Sequence, residues 1–166
     1  MGMERRIVTA LSLLSELFEQ ALGYDELDEL DHDVLIDEID DAGRHITNAL
    51  FLHRPDLRRL LPEQRNLDRL FERYPCDLDH ADLESLAIHA YDELAEILAA
   101  RNYHVRREAD YAMSHLDVVL LLLDPDMYTR AIETASSDDR IKIAAQAEQV
   151  DLMLEEARAI VEEDIG

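Results

Sequence analysis

The sequence predicts an all-α fold, one helical bundle of about five long helices with short connecting helices, and three observations lead there. Apolar residues recur at three- and four-residue spacings along every long segment, the period of a helix with one buried face. Only four Gly and four Pro punctuate 166 residues, too few for the turns of a β fold. Leu, Ile, Val and Phe fill 48 positions, far above the roughly 20% below which a charged chain fails to collapse.

In the first helix Ile7, Ala10, Leu11, Leu14, Leu17, Phe18, Ala21 and Leu22 share a face, and Gly23 stops it as the residue after the C-cap. Tyr24 to Asp33 is acid-rich and reads as a connection. Leu35, Ile39, Ala42, Ile46, Ala49 and Leu50 then mark a second helix to about Leu52, with Gly43 inside it. Residues 53–78 hold three of the four prolines and form a jointed connector, in which Pro55 and Pro62 open short helices. Leu83, Leu86, Ala87, Ala90, Leu94 and Ile97 define a third long helix, capped by Asp79 or Asp82 and ending near Arg101.

A fourth long helix, His104 to Leu123, begins amphipathic and ends in the run Val118 to Leu123, apolar on all sides and so placed in the middle of the core. Asp124 and Pro125 read as the cap and first turn of a short helix to about Ala135. Ser136 and Asp139 form a capping signal ahead of the last helix. There Ile143, Ala147, Val150, Leu154, Ala157 and Val161 follow a heptad, the seam of a helix packed lengthwise on one neighbour. That neighbour lies in the same chain or in a second copy, the latter giving a homodimer through Ile143, Val150, Leu154 and Val161. No repeat or linker is read in this order, so residues 1–166 are taken as a single domain.

With 39 acidic residues against 16 basic ones, the formal charge is −23. Fifteen of the basic residues are Arg, and Asp outnumbers Glu. Such self-repulsion is severe in dilute salt and is screened at molar salt, where the Debye length falls to ~3 Å. The composition therefore resembles that of proteins from salt-accumulating halophiles. No apolar run approaches the ~20 residues that span a bilayer, and the N-terminus lacks a signal-peptide layout, so a cytoplasmic protein without a membrane partner is expected. The single Cys76 rules out an internal disulfide, and zinc-finger spacing is missing. Polyphosphate would be repelled from most faces, which excludes nucleic acid as partner.

Chemistry is suggested at one place. Glu38 and His45 are seven apart on the second helix, Glu108 and His115 seven apart on the fourth, and all four border apolar faces. Seven residues span ~10.5 Å, too far for one helix to ligate an ion with both. If the two helices run antiparallel, however, Glu38 faces His115 and Glu108 faces His45. Glu/His clusters in a bundle interior suit a divalent transition metal, although the Glu-x-x-His motif of di-iron bundles is missing. The alternative role is structural, an imidazole bonded to a carboxylate in the core. His89, Asp92, Glu93 and Glu96 fall opposite the apolar side of their helix and read as a solvated face.

The connector departs from the charge rule. Residues 54–73 carry six Arg against four acids, a local +2 that leaves −25 on the rest. Arg58, Arg59, Arg65, Arg69 and Arg73 are therefore the candidate docking residues for an acidic protein partner or a small anionic ligand. No nucleophile elbow, phosphate-binding Gly-rich loop or His-Glu-x-x-His is present. The expectation is a non-catalytic interaction or regulatory protein needing no cofactor, with a metal-binding bundle on Glu38, His45, Glu108 and His115 as the alternative.

Overall fold

The computed structural model describes residues 2–59, 64–75 and 82–165, with only the backbone given for 64–67 and 165. Among them the chain forms seven α-helices and no strand: α1 (Gly2–Leu22), α2 (Glu29–His53), α3 (Gln64–Arg73), α4 (Leu83–Ile97), α5 (Tyr103–Leu123), α6 (Met127–Thr134) and α7 (Ser137–Ile165). A 3-10 turn at Pro55–Arg59 follows α2. Five helices are long and two short, as the periodicity predicts.

Local chemistry sets the boundaries. After α1, the Gly23 amide donates to the Gln20 carbonyl at 3.2 Å and the chain turns. The second helix starts six residues before the expected Leu35. Asp28 caps it by accepting from the Asp31 amide at 2.8 Å, and Glu29 and Asp31 lie in its first turn, where carboxylates favour the positive helix end. The acids taken for a loop are thus an N-terminal signal. Asp82 caps α4 through the Ser85 amide, and Asn102 caps α5 through the His104 amide, both at 2.8 Å. Asp124 does not cap α6. It ends α5 and pairs with Arg130, leaving Asp126 at the α6 N-cap without a side-chain bond.

Helices α1, α2, α4 and α5 make a four-helix bundle in which α1 packs on α2 and α4, and α5 packs on α2 and α4. The run Val118 to Leu122 is helical and buried, with Val119 fully enclosed. Helix α7 lies on α2, α5 and α6. Its Val150, Leu154 and Val161 are buried within the single chain, and Arg158 reaches Asp31 on α2 at 2.8 and 3.1 Å. The seam residues are thus already covered by the chain's own helices, Ile143 being half-buried.

The reading without repeats is corrected by the fold. Helices α2 and α5 carry one pattern, Glu-x-Asp-x-Ala-x-x-His-x-x-x-x-Leu-x-Leu-x-x-Pro-Asp, at residues 38–56 and again at 108–126. Both helices end alike: the amides of Arg54 and Asp124 close on Leu50 and Leu120, with similar cap angles, before Pro55 and Pro125. The buried positions of α4 (Leu83, Leu86, Ala87, Ala90, Leu94, Ile97) correspond to Ile7, Ala10, Leu11, Leu14, Phe18 and Ala21 of α1. The α1–α2 hairpin is therefore repeated as α4–α5. The α1–α2 connection is six residues longer at its core positions, so a search at a fixed period loses register between the two halves.

Candidate functional site

The four Glu and His residues read from the sequence meet between α2 and α5. The Nδ1 of His115 donates to Glu38 at 2.5 Å, and the Nδ1 of His45 donates to Glu108 at 2.6 Å. This pairing makes α2 and α5 antiparallel. The two imidazoles stack with centroids 5.4 Å apart and planes 18° apart, and Tyr111 lies 5.2 Å from His45. Each contact is the mirror of the other: Glu38 touches His115 as Glu108 touches His45. A pseudo-twofold axis therefore passes between the stacked rings, the isologous arrangement of a C2 interface inside one chain.

The site is half-enclosed, with Glu38 nearly buried at 9% exposure. The hydrogen bond to Glu38 raises the His115 pKa above its usual value; burial works against this, and the charges of Glu38 and Asp41 add to the rise. Asp41 approaches His115 where its repeat equivalent, Tyr111, approaches His45, so the site is symmetric in its pairs and asymmetric at its rim. Chemically, both Nδ1 atoms are taken by carboxylates, which orients the rings as metal-ligating histidines are oriented by their outer partners. The carboxylates are spent on that role, however, and among the described residues no three His, Cys, Asp or Glu are grouped to hold one ion.

The connector residues divide. Arg58 lines a groove described below, while Arg59, Arg69 and Arg73 are exposed. The Arg73 guanidinium sits over the Tyr74 ring at 5.5 Å. Arg65 lies on α3, its side chain outside the described residues. Pro62, Asp79 and Cys76 are likewise outside them.

Three features escaped the sequence. Glu4, buried at the start of α1, accepts hydrogen bonds from Arg54 and Tyr74, and Arg54 also grips Asp56 at 2.9 and 2.8 Å. The bond from Tyr74 and the Arg54 charge hold the Glu4 carboxyl below its ordinary pKa despite burial. This network fastens the connector to the bundle. A second cluster brings together Tyr91 on α4, Asp117 on α5, Tyr128 on α6 and Gln146 on α7, with Tyr91 and Gln146 close to the Asp117 carboxyl. Burial pushes Asp117 up to about 6 and Tyr91 up to about 12.

The third feature is an open groove of about 940 Å³ between α1, α2 and the connector. Its walls are mainly apolar, including Leu11, Leu14, Phe18, Ile39, Phe51 and Phe71. Its rim carries Arg44, Arg58, Glu19 and Asp40, with Arg44 paired to Asp40 at 2.9 Å and Arg58 in no ion pair among the described residues. Gly43 helps to keep it open, since a Cβ there would meet nothing within 4 Å. The one signal in the sequence was that glycine inside an amphipathic helix.

No protein-family model matches the chain, and the curated proteins and solved structures offer no significant similarity to it.

Proposed function

We propose that this chain is a non-catalytic helical interaction protein that docks its partner in the groove between α1, α2 and the connector. The observation that supports this is the groove itself. It combines a large apolar concavity with a rim arginine, Arg58, that has no ion pair among the described residues, on a chain whose charge of −23 repels anions elsewhere. Pockets of this size and lining are the usual place for ligand or helix binding. The groove adjoins the Arg-rich connector, so an acidic partner meets its least repulsive approach there.

The test uses an anionic aromatic probe, 8-anilinonaphthalene-1-sulfonate, with the folded protein in 2 M KCl. One-site binding is expected, and Gly43→Leu, which puts a branched side chain into the groove, should weaken it at least tenfold. Equal binding by both proteins, or none by the wild type, overturns the reading. The acidic surface supports a further part of the proposal, a working environment of a salt-rich cytoplasm, where a −23 charge is screened. No helix among the described residues is long and apolar enough to cross a membrane, which is compatible with that setting.

The convergence of Glu38 with His115 and of His45 with Glu108 favours a second reading, a metal-binding bundle. In it His45 and His115 ligate a divalent transition ion through Nε2 and the glutamates orient the rings. Titration with Zn²⁺, Mn²⁺ or Fe²⁺ then raises the melting temperature, and chelator reverses the rise. An unchanged melting profile disposes of it.

A further inference from the structure

The pseudo-twofold axis gives the groove a counterpart, and the two differ. Ser15, Gly43, Thr47 and Arg58 of the groove correspond to Tyr91, Met113, Asp117 and Tyr128 in the α4–α5 half. There half-buried Tyr91, Asp117 and Tyr128 stand together where the groove has small or open positions, with Gln146 of α7 close to Asp117 and Tyr128. Helix α7 lies across both halves, but its Gln146 stands over the counterpart in the α4–α5 half while the equivalent place between α1 and α2 stays open.

Helix α7 also carries the means to fill the open one. Its inner face, Val150, Leu154 and Val161, is buried. On the opposite face Ile141, Ala145, Glu148, Leu152, Glu155 and Ala159 follow spacings of four, three, four, three and four, all exposed. Ile141 at 73% and Leu152 at 62% are the two most exposed large hydrophobics of the described chain, and Ile160 beside them is 60% exposed. Of the acids within this stripe, Glu155 pairs with Arg158 at 2.7 Å on its own helix, and Glu148 is opposite in sign to Arg44 and Arg58 at the groove rim.

Resting on the interaction reading above, we infer that the occupant of the groove is the outer face of α7 from a second copy of this chain. Leu152 and Ile141 enter among Phe18, Phe51 and Phe71, while Glu148 meets Arg58, the rim arginine with no ion pair among the described residues. This is a helix-in-groove contact, and it is heterologous: groove on one copy, stripe on the other. It uses the face of α7 opposite the heptad seam, which the chain itself covers.

The experiment is light scattering on the full chain in 2 M KCl, across concentrations up to the ~0.1 mM range in which micromolar contacts are saturated. A mass of at least twice the 19.1 kDa monomer is expected. Leu152→Glu and Gly43→Leu should each give monomers with unchanged circular dichroism. Mixed together they should form a 1:1 dimer, because one keeps its groove and the other its stripe. A wild-type monomer overturns the inference, as does a dimer that survives both substitutions or variants that fail to complement. A monomer that still binds the sulfonate probe leaves the groove as a docking site for another protein, whereas loss of both removes the two readings together.

Discussion

Two carboxylates in the interior, Glu38 and Asp117, carry opposite consequences for pH. His115 has its pKa raised by Glu38, so the pair contributes stability fully below the unfolded value near 6.5, and that contribution is lost as pH rises through the folded value. Glu38→Gln should therefore destabilise the protein by about 1–3 kcal/mol at pH 6 and by less at pH 9, a difference read by urea denaturation at the two values. Asp117 is also raised, to about 6, by burial. As an acid it binds more protons folded than unfolded between its ordinary pKa of 3.8 and 6, so stability falls with rising pH across that window. Asp117→Asn keeps an acceptor for Tyr91 and sheds the buried charge. It should stabilise the protein by about 1–2 kcal/mol at pH 8 and change little at pH 4.

The elements were largely legible from periodicity, because each long helix buries one stripe, and the expected caps Asp82 and Ser136 lie where a helix must satisfy its first amides, whereas the Asn102 cap of α5 was not read. The early start of α2 was hidden by its own acids, whose value at a helix N-terminus looks, in sequence, like a loop. The Glu38–His115 and His45–Glu108 pairs could be read because a seven-residue spacing on two antiparallel helices allows one register. The groove and the Asp117 cluster could not, since each draws on three or four elements whose approach is set only by packing. The Glu4 network joins residues 50 and 70 apart and is equally invisible to local pattern. Because it ties α1 to the connector, Glu4→Gln should cost about 1–3 kcal/mol above pH 5 and nothing at a pH below the folded value of its carboxyl, where Glu4 is itself neutral. Proteolysis within the connector should quicken in the same variant.

For the whole molecule the governing quantity is charge. Acids crowd even along single helices: burial raises the Asp37 pKa, and the charges of Asp41, Asp33, Glu38 and Asp40 push it further upward. Few of these charges have a basic partner, since only 16 basic residues serve 39 acidic ones. Raising KCl from 0.1 to 2 M should lift the melting midpoint steadily by screening this repulsion, and a flat profile would reject salt adaptation. The same screening lets two copies, each at −23, approach one another.

The axis between His45 and His115 has one more consequence. A homodimer of identical hairpins must bear every substitution twice, so any residue useful on one side is imposed on the other. Joining the hairpins in a single polypeptide lifts that constraint. One side could then be plugged with tyrosine and sealed by an appended tail, while its twin kept glycine and serine at the same places and stayed hollow.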